Sequence, residues 1–362
     1  MLPPRWVRRL VLAPGVVLLS VLVVLTLPVT AAVAGLLSLV LPGQRKRPLR
    51  LLWLVVVHLV LEATTLLAML VLWVASGFGY RLRSARSQRR HYDLVQFYLE
   101  TMFAVAERIL HVRVEVDGPD AVAYHGRPLV VFCRHAGPGD SFLLVHALVN
   151  WYDREPRIVL KDTLQWDPAI DVVLNRLPTR FLRPRDRRGR GSSAADIGEL
   201  ARHLDDDDAL VIFPEGGNFT ERRRARAIDR LRLAGQFDEA AKAEAMRHVL
   251  PPRTGGVLAV LDVAGAADVV WVAHTGTDHL FTVADVWRAL PTDMVIRMRW
   301  WQVPAGDVPA GRDARISWLF TWWHHIDAWI GEQRGERRRR TIRVRLAERR
   351  ARIPTGRRAT RR

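Results

Sequence analysis

At 362 residues the chain is long enough for one domain of ordinary size plus anchoring segments. Hydrophobic residues make up 49% of it, and its single cysteine, Cys133, excludes both a disulfide framework and a cysteine-rich zinc site. The net charge of +18 would suit a nucleic-acid protein, but it sits at the ends: residues 1–90 carry 12 Lys/Arg against one acid, residues 331–362 carry 14 Arg against three Glu, and residues 91–330 sum to −4. Basic residues beside apolar segments suit an anionic membrane surface, at about 1 kcal/mol each, and no nucleic acid is expected as a partner.

The first apolar segment, about residues 10–42, has no charged residue and exceeds the ~20 residues needed to cross hydrocarbon. It is too long for a signal-peptide core, and Pro28 near its middle could bend it into a re-entrant hairpin. The second, about 51–78, is long enough to span; His58 and Glu62 lie one turn apart on one of its faces and are expected to meet protein or each other. Basic clusters flank both segments, so residues 1–90 read as a membrane anchor with the following domain on the cytoplasmic side of the cell membrane.

Residues 91–310 alternate strand-like and helix-like stretches. Strands are expected at 128–133, 157–161, 179–183, 209–213, 268–275 and 294–300. Helices are expected at 140–151, 167–177, 192–204 and 257–265, with a polar helical stretch after 217. The pattern predicts an α/β fold, a mixed sheet covered by helices and preceded by N-terminal membrane helices. Residues 311–331 carry four tryptophans and predict an amphipathic helix, lying at a bilayer interface or packing on the domain. The basic stretch 332–362 is expected to be disordered.

His135 ends an apolar strand, precedes the turn Gly137-Pro138-Gly139 and is followed by Asp140 five positions on. A neutral imidazole can take a proton from an attacking alcohol, and a carboxylate on its other nitrogen fixes the tautomer. Backbone N–H groups of this turn could also hold an oxyanion. His203 and Asp208 repeat the spacing, but between a polar helix and an acidic loop, so spacing alone does not select the pair. Downstream, Phe213-Pro214-Glu215-Gly216-Gly217-Asn218 again ends a strand, with Arg180, Arg183, Arg185, Arg187, Arg188 before it and Arg222 to Arg224 after it. Arginine suits bidentate phosphate contacts.

The His-x4-Asp of His135 and Asp140, the Phe-Pro-Glu-Gly of 213–216 and the run MRHVLPPRTGG (246–256) together resemble the 1-acylglycerol-3-phosphate acyltransferase family of glycerolipid acyltransferases. They lie nearest its lysocardiolipin and lysophospholipid branch, and the resemblance covers about residues 100–280. It implies acyl transfer from acyl-CoA, as co-substrate, to the hydroxyl of a lysophospholipid in phospholipid biosynthesis or remodelling. His135 would be general base and Asp140 would orient it. Arg183, Glu215, Gly216 and Gly217 would hold the acceptor, and no metal or prosthetic group is implied. The family's usual Thr-Arg after Phe-Pro-Glu-Gly is Gly217-Asn218 here, leaving the phosphate to Arg222 or Arg223. Two other readings stand beside this one: a serine hydrolase using Ser141, which lacks a Gly-x-Ser-x-Gly elbow, and a non-catalytic membrane scaffold or basic tether.

Overall fold

The computed structural model describes residues 2–40, 46–137, 139–183, 193–277, 285, 287 and 294–351, with side chains to residue 336. The expected stretches 41–42, 184–192 and 352–362, and with them Arg185, Arg187 and Arg188, lie outside the described residues.

A seven-stranded sheet organises the domain. Its strands are β1 (Arg113–Asp117), β2 (Leu129–Cys133), β3 (Glu155–Lys161), β4 (Thr179–Leu182), β5 (Asp208–Ile212), β6 (Asp268–Thr275) and β7 (Val295–Val303). They run in the order β1-β7-β6-β2-β5-β3-β4. Neighbours are parallel except β6 and β7, so the sheet is mixed, as the alternating pattern implied. The central strands β2 and β5 are buried at every position, which explains their unbroken apolar runs.

Ten further helices and the N-terminal one are named in chain order: α1 (Arg5–Leu25), α2 (Leu27–Val40), α3 (Arg47–Ala75), α4 (Ala85–Leu110), α5 (Asp140–His146), α6 (Pro168–Leu174), α7 (Ala194–Leu200), α8 (Glu221–Leu233), α9 (Phe237–Ala245), α10 (Thr254–Leu261) and α11 (Arg312–Ala351). Alternation along the strands supplies two cores. Leu129, Val131 and Cys133 face Leu143 and Leu144 of α5 and Leu148 in the turn that follows it. Val130, Phe132 and Trp271 face the other way, onto Val257 and Val260 of α10 and onto α11.

Of the two readings of the tryptophan-rich stretch, packing on the domain is the one seen: Leu319, Phe320, Trp323, Ile326 and Ile330 are fully buried on the sheet. Trp318, Trp322 and Trp323 surround Trp271 at 5.0–6.0 Å between ring centroids. Large aromatic area drives the burial, and the Trp323 indole N–H has a partner in the Leu250 carbonyl (2.9 Å). The helix also continues to Ala351 instead of ending at 331. The stretch expected to be disordered is rich in Arg, a good helix former, and no proline interrupts it before Pro354.

Helices α1 and α3 are each long and apolar enough to cross a membrane. The first segment is divided at Thr26, after which α2 begins at Leu27, and both halves lie along α3. Polar contacts fasten this unit to the domain. Arg8 donates to Asp171 Oδ1 (2.7 Å) and Gln165 Oε1 (3.0 Å), and the Ala169 N–H donates to Glu62 Oε1 (3.0 Å). Pro168 opens α6 behind Asp167, whose carboxylate caps the Ile170 N–H (2.9 Å).

Candidate active site

Open parallel sheets place their sites at the carboxyl ends of strands. Here β2 delivers His135, β5 delivers Phe213 to Asn218, β3 delivers Lys161 and β6 delivers His274 to one edge. His135 Nδ1 lies 3.0 and 3.2 Å from the two oxygens of Asp140. Its ring rests on Phe213, 4.8 Å between centroids. Its Nε2 has no protein partner among the described residues, and His135 lines a large cavity. One nitrogen is therefore fixed and the other is available to a ligand.

Asp140 is 1% exposed and surrounded by donors. The Ala136 N–H (2.5 Å) and Gly137 N–H (2.9 Å) reach Oδ2, and His274 Nε2 stands 3.5 Å from it. Burial alone would raise this carboxyl, but the hydrogen bonds and charges of His135 and His274 outweigh it and hold the group well below the usual range. These contacts correct one expectation: the Ala136 and Gly137 N–H groups are committed to Asp140 and are not free for an oxyanion. The Nε2 of His274 also reaches the Arg134 carbonyl (3.2 Å), while its buried Nδ1 has no partner among the described residues.

The depressed carboxyl carries a pH prediction. A group whose folded pKa lies below its unfolded value stabilises the fold above the unfolded pKa, here 3.8, and that contribution fades as pH falls below it. Asp140→Asn removes the contribution, at about 2–4 kcal/mol near neutrality. Urea melts from pH 7 to 3 should show a constant gap between wild type and D140N above about pH 5, narrowing toward pH 3. A gap that widens in acid contradicts the assignment.

Glu215 differs from its expected role in holding the acceptor. It is 2% exposed and accepts the His135 N–H at Oε1 (3.2 Å) and the Leu250 N–H at Oε2 (3.2 Å). Burial pushes its carboxyl up to about 8, against the opposing pull of Arg134 and the two N–H donors. It splices the His135 loop to the loop before α10. The Phe219 N–H to His135 carbonyl and the Arg253 N–H to Pro214 carbonyl, both 2.9 Å, complete that splice.

The cations sort differently from their order in sequence. Gly216 has φ +65°, and a Cβ there would stand 2.7 Å from the Arg253 guanidinium carbon, so glycine admits the close approach. Gly217 lies against Arg223 and Lys161. Arg223 Nη1 donates to the Asn218 carbonyl (3.0 Å). Burial lowers the Lys161 pKa, and the neighbouring Arg223 and Arg253 charges lower it further. Arg222 is displaced from this group. Thr220 caps α8 through the Arg223 N–H, and one residue is 100° of helix, so Arg222 points away from the glycines while Arg223, also exposed, lies against Gly217. Arg183 lines the large cavity at the end of β4, and Arg180 pairs with Asp196. Lys161 and Arg253 were not singled out in the sequence; the basic residue ending a strand that leads into Pro168, and the arginine of the 246–256 run, were the available signals.

The large cavity, about 1070 Å³, runs from His135 between α3, α4, α6 and the ends of β3 and β5. Its wall is chiefly apolar, including Leu99, Phe142, Val145, Leu160 and Val173. One polar patch interrupts it: His58 Nδ1 meets the Tyr98 hydroxyl (3.1 Å), and donor atoms of His58, Glu62 and Asp167 lie within 4.8 Å of one another. His58 and Glu62 thus do meet protein, as expected of polar groups on α3. Ser141 lines the cavity as well, but its hydroxyl contacts Asp140 (3.5 Å) and no contact joins it to a His135 ring nitrogen among the described residues.

This combination of strand-end His–Asp pair and spliced Phe-Pro-Glu-Gly loop lies within residues 113–272, which match the family described as Acyltransferase. Residues 113–272 carry this likeness to an acyltransferase domain, a stretch of less than half the chain. The chain is similar to lysocardiolipin acyltransferase 1 of Danio rerio, 26% identical over 202 residues, covering 56% of this chain and 47% of that one. It is similar also to lysocardiolipin acyltransferase 1 of Mus musculus, 28% identical over 170 residues, covering 47% and 43%. The chain thus spans under half the length of each of these curated relatives. No solved structure matches it. The family domain begins at β1 and ends within β6, so β7, α11 and the apolar helices lie outside it.

Proposed function

We propose that this acyltransferase moves a fatty acyl group from acyl-CoA to the hydroxyl of a lysophospholipid at a membrane face. One observation carries the reading: the unpartnered Nε2 of His135 stands where the apolar cavity meets Lys161, Arg223 and Arg253. A chain of hydrocarbon and a phosphate would be held on either side of one base.

In this mechanism Asp140 holds Nδ1–H, so Nε2 is the acceptor. Nε2 takes the proton of the acceptor hydroxyl as its oxygen attacks the thioester carbonyl. Collapse of the tetrahedral intermediate breaks the C–S bond, and the imidazolium returns the proton to the leaving thiolate. An ester and a free thiol result, and His135 is restored. Glu215 acts at one remove, by fixing the His135 backbone. The serine-hydrolase alternative has no Ser141–His135 contact to support it. Helices α1 to α3 would insert in the bilayer, with their basic flanks toward anionic headgroups on the cytoplasmic side.

The phosphate assignment is tested by K161Q and R253Q. Each should raise KM for a lysophosphatidate acceptor about tenfold or more, with kcat within about threefold, as loss of a charge-assisted contact implies. KM for an uncharged monoacylglycerol should not move. Equal effects on both acceptors would remove these residues from headgroup binding.

A further inference from the structure

A second cavity, about 900 Å³, is lined by Gly216 and Gly217 but not by His135. It shares Lys161, Gly216, Arg253 and Gly255 with the apolar cavity and then departs along α8. One face of that helix, Arg223, Arg226, Ala227, Arg230 and Leu231, forms its wall, at the i, i+3, i+4, i+7, i+8 spacing of a single stripe.

Five cations therefore border the two connected spaces: Lys161, Arg223, Arg226, Arg230 and Arg253. Among the described residues none of the five is ion-paired to a carboxylate. Of the acids along the wall, Asp229 is turned to Arg232 (3.5 Å), Glu215 is bound to two backbone N–H groups, and Glu239 remains. Burial depresses the Arg253 guanidinium, and repulsion from Arg230 adds to it. A cluster of like charges with so little local compensation stores electrostatic energy that an anion releases.

One acceptor phosphate does not account for it. A phosphate monoester carries about −1.5 to −2 at pH 7, and Lys161, Arg223 and Arg253 beside Gly216–Gly217 suffice for that charge. Arg226 and Arg230 line only the second cavity and are left over.

We propose that the second cavity is an additional phosphate subsite, built around Arg226 and Arg230, for a phosphate that a substrate carries at a distance from its reacting atoms. The proposal rests on the acyl-transfer reading for the identity of the carrier. The nucleotide bisphosphate of a coenzyme A donor and a second phosphate on a glycerol-based acceptor share the required chemistry. Arginine's planar fork suits either.

The test is equilibrium binding to the purified full chain in detergent micelles. Adenosine 3′,5′-bisphosphate is compared with adenosine 5′-monophosphate, and glycerol 1,3-bisphosphate with glycerol 3-phosphate. In the wild type at least one bisphosphate should bind about tenfold or more tighter than its monophosphate, a margin of about 1.4 kcal/mol. A margin confined to the adenosine pair assigns the subsite to the donor, and one confined to the glycerol pair assigns it to the acceptor. R226Q/R230Q should cut the margin below about twofold, while R226K/R230K, which keeps the charge and loses the fork, should retain an intermediate margin. Both residues are exposed, so these variants should melt like the wild type. No margin in the wild type, or an undiminished one in R226Q/R230Q, overturns the proposal. Acyl transfer measured on the same preparations separates the two readings. A margin without transfer sinks the proposed function and leaves the subsite; transfer without a margin does the reverse.

Discussion

His135→Ala should lower kcat for acyl transfer by about 10³–10⁴-fold, the range lost when a general base is removed from such a dyad. Only one ring nitrogen is available for the work. Nδ1 is committed to Asp140, a carboxylate held ionised by four surrounding N–H donors, so the imidazole presents Nε2 as its lone-pair nitrogen. Without that nitrogen the hydroxyl must attack with its proton in place. The substitution should leave the fold intact, because the ring sits at a cavity wall and its one aromatic contact is Phe213. KM for the acceptor should stay within about threefold, since the proposed phosphate contacts are those of Lys161, Arg223 and Arg253. Steady-state kinetics beside a thermal melt check both halves. A well-folded H135A retaining a tenth of wild-type kcat would remove His135 from the chemistry.

The second large effect is on stability, from a residue that touches no substrate in this account. Glu215→Ala should cost about 2–4 kcal/mol, the penalty for leaving two buried N–H donors without their acceptor. Two backbone N–H groups, of His135 and Leu250, lose their acceptor, and the fully buried Arg134 loses a neighbouring polar group. Arg134 still donates to the His274 carbonyl (2.6 Å), so the damage spreads toward β6 and to Asp140's second histidine. E215Q should fall between, since an amide offers one oxygen where two acceptors are needed. Denaturant melts in detergent measure the loss. An E215A midpoint equal to wild type would contradict the buried splice and return Glu215 to a surface role.

These two residues show what was legible in the sequence and what was not. His135 and Glu215 both sit just past apolar runs that read as strands, and both do end central strands of the sheet. Their separation into different roles was not legible. Whether a carboxylate after a strand faces a ligand or turns back to cap loops depends on the loop before α10, 35 residues away in sequence. The same holds for Lys161 and His274, which reach the site because β3 and β6 flank β5 and β2 in the sheet order. Strand order is a long-range property that a local pattern does not contain. For the arginine run 222–224 the decisive variable was helical phase. Arg223 faces Gly217, Arg224 reaches back to the Met246 carbonyl (2.6 Å), and Arg222 faces water. The tryptophan-rich helix was legible as a helix, but its partner, Trp271 on β6, was not.

The central claim is the reaction itself. The most direct measurement gives the purified full chain an acyl-CoA labelled in its acyl group, together with lysophosphatidate and other lysophospholipids. It follows both the labelled diacyl product and the free thiol released. Equal amounts of the two are expected, dependent on the acceptor and lost in H135A. Thiol release without a labelled phospholipid would mean that water accepts the acyl group and the protein is a hydrolase. Neither product from protein shown to be folded would contradict acyl transfer to these acceptors altogether.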